Sequence, residues 1–405
     1  MDFRLTDTQE MLRDDAWNFA QKEILGDDGR KWLEFRKKGF PHEFYKKLVS
    51  KYGGATIDIA YGGAGIGTLD FCLITEQLSQ ADAGAGLSLG TSLVLVADPI
   101  QLFGNEEQKR LFLPRIARGE IGAYAQTEAG AGSDVNGIKT KGVISGNEII
   151  INGSKIFITN GSVADIIIVI VRTGPEKYRG LSMVIVDAKK AKTEGSLIIE
   201  RDEDKLGLHC SPTTALTFTD CRVPVFNVVG QPGMGFFYAM ATLIGSRPMI
   251  AWQGVGMAQA AFDLALKHVL EREQFSKKLY ENQSVQHELA DMKEMIEGAR
   301  LLAYQAAWEV EKTLEFKADP LRLLMAREEI MDKASMAKLR AADVATHVIL
   351  ESLKLHGGMG FMKESRIAGL WEDLPILHIY EGASKIQKYI IAKQIFKKHG
   401  IDIKP

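Results

Sequence analysis

The feature that most constrains the fold is a change of periodicity along the chain, from helical to strand-like and back to helical. Residues from about 5 to 120 have helical spacing of apolar side chains, including a predicted helix at 106–117. β-Branched or alternating runs at 165–171, 181–186 and 213–219 then predict strands. From about residue 236 the helical pattern returns in long segments, predicted at 247–274, 283–315, 320–354 and 383–398.

A hairpin signal lies in the strand-rich part of the chain. Asn152-Gly153 separates two apolar runs between Glu148 and Thr159. Both residues tolerate the positive φ angles that a tight type I′ turn requires, so we expect two short strands joined there.

Together these segments predict an α+β chain of three units. They are an N-terminal helical domain at 1–121, a middle β domain at 122–235 and a C-terminal helical domain at 236–405. Four long amphipathic helices in the last unit predict a helical bundle.

Composition narrows the class of protein. Lys and Arg number 50 against 52 Asp and Glu, so the sequence predicts no nucleic-acid partner. Three scattered cysteines fit a reducing compartment, and the N-terminus lacks the apolar core of a signal peptide. Ile166–Val171, taken as the longest apolar run, is too short to span a membrane. We expect a cytoplasmic bacterial or archaeal protein, or a mitochondrial-matrix protein if a transit peptide was removed.

Several common catalytic signatures are missing from the sequence. It contains no GxGxxG opening a helix, no GxSxG and no HExxH. His209, Cys210 and Cys221 lack the paired spacing of zinc ligands, so no metal site is expected.

The first positive signal is the segment Tyr124–Asp134. Its small residues at 129–132 let the backbone approach a planar or phosphorylated ligand, and Thr127 and Ser133 add hydroxyl groups. On its own the segment also fits a flexible loop between domains.

A second signal lies in the predicted strand that ends at Thr159. Alternation places Phe157 and Thr159 on one face, where an aromatic ring and a hydroxyl could form a wall for a flavin. An ordinary amphipathic strand has the same pattern.

The third signal is Glu381, between Tyr380 and Gly382 just before a predicted helix. Apolar surroundings would raise the pKa of its carboxyl group towards that of a useful general base. By itself, Glu381 could equally be a solvated or helix-capping acid.

Taken together, the sequence resembles the acyl-CoA dehydrogenase family over nearly its whole length. The matching strings are YAQTEAGAGSDV at 124–135, INGSKIFITNG at 151–161, DCRVPVFNVVG at 220–230, SRP at 246–248, EREQF at 271–275, LHGGMGF at 355–361 and IYEGASKIQ at 379–387. The resemblance implies an N-terminal helical domain, a middle β-barrel domain and a C-terminal four-helix bundle. It also implies a homotetramer in which FAD crosses a subunit interface.

The resemblance further implies the roles of individual residues. Residues expected to bind FAD are Tyr124, Gln126, Thr127, Gly132, Ser133, Phe157, Thr159, Arg272, Phe275, Gln283, Gly357, Gly358, Ala383 and Lys385. Ser133, Arg247 and Gly382 would contact the substrate. Glu381 would be the catalytic base, since residues 244–247, where some relatives carry it, contain no carboxylate.

The implied reaction is α,β-dehydrogenation of an acyl-CoA, as in fatty acid β-oxidation. Glu381 would take the α-proton while FAD accepts the β-hydride, giving a trans-2-enoyl-CoA and passing electrons to electron-transfer flavoprotein. An acyl-CoA oxidase, a dehydrogenase of an alicyclic or otherwise unusual acyl-CoA and a non-enzymatic relative remain alternatives.

The sequence departs from the family pattern at some positions. Ala383 replaces a common Thr, Lys354 and Lys385 stand where Gln is common, and 372–375 is remodelled. Residues 84–96, expected near the acyl end, contain no Arg or Lys for a distal carboxylate.

Overall fold

The computed structural model describes residues 4–26, 30–37 and 39–403. Residues 1–3, 27–29 and 38 of the predicted N-terminal domain and 404–405 of the predicted C-terminal domain lie outside the described residues. The N-terminal part is helical. Its helices are α1 (Asp7–Ala20), α2 (Arg30–Lys37), α3 (His42–Tyr52), α4 (Thr68–Ala81), α5 (Ala83–Gly90), α6 (Asp98–Phe103) and α7 (Glu106–Ala117). The helix predicted at 106–117 is confirmed. Asn105 caps it by accepting the Gln108 N–H at 2.8 Å.

A long buried segment of the N-terminal part is Ala83–Phe103, in which α5 and α6 are joined by a π-helical stretch, Thr91–Ala97. It is long and apolar enough to cross a membrane by length and composition, and 94% of its most apolar part is buried inside the protein. A core helix of a folded domain has the same properties. The interpretation of Ile166–Val171 as the longest apolar run is therefore wrong. Ala83–Phe103 is longer, but its Gly, Ser and Thr residues interrupt the apolar pattern in the sequence.

The middle of the chain forms a seven-stranded sheet. Its strands are β1 (Gly122–Ala125), β2 (Lys141–Ser145), β3 (Glu148–Thr159), β4 (Ile166–Arg172), β5 (Leu181–Asp187), β6 (Leu197–Asp202) and β7 (Thr213–Pro224), with the short helix α8 (Ala188–Thr193) after β5. The strands are ordered β1, β4, β2, β3, β7, β6, with β5 paired to β4. The predicted strands at 165–171, 181–186 and 213–219 are confirmed.

The hairpin prediction at Asn152-Gly153 is wrong. β3 continues through both residues, and the chain reverses instead at Gly146 and Asn147, between β2 and β3. Gly153 lies where the pairing of β3 with β7 shifts register, and a Cβ there would be 2.7 Å from Thr140. Glycine is therefore required for close packing inside a bulged strand rather than for a turn.

The continuous apolar run of β4 is explained by burial on both faces. Ile166, Ile168 and Ile170 join a core shared with the helices, whereas Ile167 and Val169 join a separate core inside the β unit. Side chains that alternate between two cores need no polar face. Because β1 pairs with β4, the packing of β4 against the helices also holds β1 beside them.

The C-terminal part is again helical. Its elements are α9 (Gly235–Glu271), a small ribbon of β8 (Glu273–Gln274) and β9 (Lys277–Lys278), α10 (Gln283–Lys312), α11 (Pro320–Glu329), α12 (Met331–Leu355), α13 (Arg366–Asp373) and α14 (Ser384–Lys397). The long helices α9, α10, α12 and α14 pack as a bundle. The predicted α+β fold class is thus confirmed.

Two predicted helix boundaries in this region are wrong. α9 begins at Gly235 rather than at 247, because a long buried helix tolerates Gly245 and Pro248 within it. The segment predicted as one helix at 320–354 is divided at Ile330 into α11 and α12.

Candidate active site

Glu381 lies in the short connection between α13 and α14. Its backbone is left-handed, with φ of 54°, and the following Gly382 has φ of 93°. A Cβ on Gly382 would be 2.4 Å from the Gln387 side-chain nitrogen, so only glycine allows this close approach. The two residues form a strained turn that points the Glu381 side chain towards α9.

The Glu381 carboxylate is half-buried and contacts Ser246 on α9. Ser246 Oγ donates a hydrogen bond to Glu381 Oε2 at 2.6 Å. Burial raises the pKa of Glu381, while the Ser246 hydrogen bond and the positive charges of Arg247 and Lys338 oppose that rise. A carboxylate with these properties can act as a general base.

Arg247 lies beside this carboxylate and is 4% exposed. Its Nη1 donates to Ser335 Oγ at 3.3 Å, and its Nε lies 3.5 Å from the Glu381 backbone oxygen. Burial lowers the pKa of Arg247 to about 10, against the attraction of Glu381. Within the described chain, no carboxylate lies within 4.0 Å of the guanidinium.

The segment Tyr124–Asp134, called the Tyr124 loop below, begins in β1 and is held next to β3. Lys155 Nζ donates to the backbone oxygen of Gln126 at 3.0 Å, and the N–H of Ile156 donates to Thr127 at 2.9 Å. Tyr124 Oη donates to the Gln126 side chain at 3.0 Å. Burial and then the charge of Glu381 raise the pKa of Tyr124.

The surroundings of this loop fit a planar group such as FAD. Phe157 is 64% exposed and left-handed at φ 57°, so its ring is presented rather than packed, and Thr159 is half-buried. Gly132 and Ser133 are exposed, and a Cβ on Gly132 would meet no atom within 4 Å. An open glycine backbone with hydroxyl groups beside an exposed aromatic ring suits a flavin and its polar chain.

A second group of predicted FAD residues lies at the far end of α9 and α12. Arg272, Phe275, Gln283, Gly357 and Gly358 are all exposed. The stacked rings of His268 and His356, 4.5 Å apart, join the segments that carry them. In the described chain, no hydrogen bond or ion pair links this group to the Tyr124 loop.

The two remaining predicted FAD residues begin α14. Ala383 is half-buried immediately before the helix, and Lys385 is exposed in its first turn. Among the described residues, no three His, Cys, Asp or Glu side chains are placed to hold a metal ion.

The motifs did not reveal three side chains that support the Glu381 turn. Ser246 and Gln387 lay within recognised motifs but had no role, whereas Lys338 lies outside those motifs and 44 residues from Gly382. Lys338 and Gln387 both donate to the turn's carbonyls. A lysine on an otherwise apolar helix face, between Ala334, Ala337 and Ala341, was the available signal for Lys338.

The similarity to known proteins covers nearly the whole chain. Models of the acyl-CoA dehydrogenase N-terminal, middle and C-terminal domains match residues 6–120, 123–221 and 233–396. The chain is 38% identical over 401 residues to a short-chain specific acyl-CoA dehydrogenase of Clostridium acetobutylicum, covering 98% of this chain and 100% of that protein. It is 35% identical over 403 residues to acryloyl-CoA reductase (NADH) of Anaerotignum propionicum, covering 98% and 97%. Butyryl-CoA dehydrogenase of Megasphaera elsdenii has a similar structure, with a TM-score of 0.89, 34% identity and coverage of 98% and 100%.

Proposed function

This chain belongs to the acyl-CoA dehydrogenase family of oxidoreductases acting on CH–CH bonds, and we propose on that premise that it converts an acyl-CoA thioester to the trans-2-enoyl-CoA with FAD. Glu381 is the proposed catalytic base. The observation that carries this proposal is the half-buried Glu381 carboxylate, which accepts a hydrogen bond from Ser246 on α9 and whose charge acts on Tyr124. A carboxylate with a raised pKa at that position can accept a proton from a bound thioester.

Bound FAD supplies the two-electron acceptor for this reaction. In the proposal, Glu381 removes the proton from the α-carbon, and Ser246 orients the carboxylate that receives it. Arg247 keeps a positive charge nearby, which favours the ionised form of the base before the reaction. Phe157 and the Tyr124 loop would hold the flavin in line with the Cα–Cβ bond.

The turn also offers a donor for the thioester oxygen. In the described chain, the backbone N–H of Glu381 makes no hydrogen bond, while its carbonyl accepts from Gln387 at 3.1 Å. A free N–H beside the base can stabilise negative charge that develops on the thioester oxygen. Ser133 and Gly382 are proposed to line the acyl-CoA channel.

We further propose that the exposed group at the far end of α9 and α12 completes the FAD site of a second copy. Arg272 suits a pyrophosphate because its planar fork pairs with phosphate oxygens. Phe275 is 97% exposed and left-handed at φ 52°, which is costly for an aromatic residue in water. Gln283, Gly357 and Gly358 would contribute from the same side, in a homotetramer. Ala383 and Lys385, at the start of α14, are also proposed to contact FAD.

The direction of the reaction and the electron partner belong to the same proposal. One relative is named as an acryloyl-CoA reductase, and an arrangement that removes a proton and a hydride can also deliver them. We propose dehydrogenation with electron-transfer flavoprotein as the acceptor, because the relative with the highest identity reported above is a dehydrogenase. Bacterial relatives are consistent with the expected cytoplasmic location.

The test is an anaerobic titration of the FAD-loaded protein with saturated acyl-CoA thioesters of different length and branching. We expect at least one of them to bleach the flavin absorbance. The Glu381→Gln variant should keep its FAD and bind the same thioester, but bleach it about 10²–10⁴-fold more slowly, since it lacks the base. Absence of bleaching by every thioester, or full activity of Glu381→Gln, would contradict the proposal.

A further inference from the structure

Lys338 holds the turn that carries Glu381. It lies on α12, is 1% exposed, and its Nζ donates to the backbone oxygen of Gly382 at 2.9 Å. Gln387 Nε2 donates to the same oxygen at 2.8 Å and to the oxygen of Glu381 at 3.1 Å. The carbonyl groups of this strained turn are therefore anchored from two helices, α12 and α14.

We propose that Lys338 is a positioning residue for the catalytic base, fixing the direction of the Glu381 side chain and N–H by holding the carbonyl of Gly382. This inference rests on the proposed role of Glu381. Because Glu381 and Gly382 both have positive φ, a free turn would relax towards commoner backbone angles. Two buried donors on one carbonyl oppose that relaxation.

Burying the ammonium group of Lys338 costs desolvation free energy, so some interaction must account for a lysine at this position. Its neighbours on α12 include Ala334, Ala337 and Ala341, among which a hydrocarbon side chain would pack without desolvating a charge. Burial lowers the pKa of Lys338 to about 8, and the attraction of Glu381 opposes this effect. No carboxylate in the described chain lies within 4.0 Å of the ammonium group, so ion pairing does not account for its burial.

Lys338 acts on Glu381 through its positive charge as well as through its hydrogen bond to Gly382. The titratable groups that face Glu381 are Arg247 on α9, Lys338 on α12, Tyr124 on β1 and the adjacent Tyr380. The positive charges of Arg247 and Lys338 lower the pKa of Glu381, against burial. Lys338 itself is also influenced by the nearby charges of Arg247, Asp343 and His378.

The experiment compares three variants of the FAD-loaded protein by stopped-flow bleaching with an acyl-CoA that reduces the wild type. Lys338→Met should slow bleaching about 10–100-fold, since small displacements of a reacting group have effects of this size. It should also move the midpoint of the rate's pH profile upward, because a positive charge beside the base is lost. The dissociation constant of the thioester should stay within about threefold, since the affected step is chemical.

Gln387→Leu separates the hydrogen bond from the charge. It removes the second donor to Gly382 without removing a charge, so the rate should fall while the pH midpoint stays. Lys338→Arg keeps both donor and charge and should recover part of both effects. Lys205→Met is the matched control, because Lys205 is a half-buried lysine that donates to the carbonyl of Ser211 at 2.8 Å and, within the described chain, makes no hydrogen bond to the turn.

The outcomes are distinct from those of the proposed function. If wild-type protein is not bleached by any thioester, the proposed function fails. If it is bleached and Lys338→Met matches Lys205→Met in rate and pH midpoint, the role of Lys338 is wrong. Should Lys338→Met fail to fold, an unchanged rate in Gln387→Leu would also overturn the proposal, since anchoring of the carbonyl would then have no effect.

Discussion

Two regions of this molecule bury charged side chains, and they do so in opposite ways. In the first, Arg36 on α2 bonds Asp373 at 2.6 Å and Glu372 at 3.3 Å on the C-terminal side, and it lies 3.9 Å from Asp82. Asp373 also accepts the N–H of Leu208 at 2.6 Å. These contacts join the N-terminal, middle and C-terminal parts of the chain through ion pairs between Arg36 and three carboxylates.

In the second region, Arg247, Lys338 and Glu381 lie close together without an ion pair. The described residues place no nitrogen of the two cations within 4.0 Å of the Glu381 carboxylate, which is bound by Ser246 instead. Paired charges are satisfied within the protein and hold segments together. Charges that remain unpaired leave their field available to a ligand, which is the property of a catalytic site rather than of a structural one.

The paired cluster should control stability most strongly. Arg36→Met leaves Asp373 buried without its counter-charge, so the free energy of unfolding should fall by about 3–5 kcal/mol, measured by urea denaturation. Arg13→Met is the control, because Arg13 is partly exposed and pairs with Asp14 at 2.8 Å, an exposed ion pair that should be worth under about 1 kcal/mol. Equal losses in the two variants would mean that the cluster is not structural.

Substitutions in the unpaired site should reduce activity strongly and stability little. Arg247→Met should slow flavin bleaching about 10²-fold, because a buried positive charge beside the reacting groups is lost. Its unfolding free energy should change by less than about 1 kcal/mol, since no carboxylate loses an ion pair. A stability loss as large as that of Arg36→Met would remove the distinction between the two regions.

Ser246→Ala tests how the base is tuned. Loss of the hydrogen bond to Glu381 should raise the pKa of this carboxyl further, because the ionised form loses a donor. Since the base acts when ionised, the rise of kcat/KM with pH should move to higher pH. Ser352→Ala, which removes a buried hydroxyl bonded to Ala261 at 2.7 Å, should leave that profile unchanged.

The smallest effect is expected for Cys210→Ser. Cys210 Sγ donates to Asp82 Oδ1 at 2.9 Å, and a serine hydroxyl can replace that donor. The unfolding free energy should change by less than about 1 kcal/mol, as measured by the same urea titration. A larger loss would show that the thiol packs specifically in the paired cluster.

Much of this organisation could be predicted from local sequence. The α7 helix and strands β4, β5 and β7 follow from their periodicity, because each pattern is set within about a dozen residues. The Asn152-Gly153 hairpin could not be rejected locally, since the same glycine that permits a turn also permits close contact with Thr140 across the sheet. The predicted start of α9 was wrong for a similar reason, because burial among other helices overrides the low helix propensity of Gly245 and Pro248.

For the site, the sequence alone identified the short segments, including the Tyr124 loop, Phe157 and Glu381. Each of these signals consists of residue types and spacings within a few positions of the chain, so it can be recognised without knowledge of the fold. Only the tertiary structure decided that Ser246, Lys338 and Gln387 support the turn around Glu381, and that Arg36 is paired while Arg247 is not. Those relations join residues more than a hundred positions apart in several cases, where packing and desolvation set the outcome and no local pattern records it.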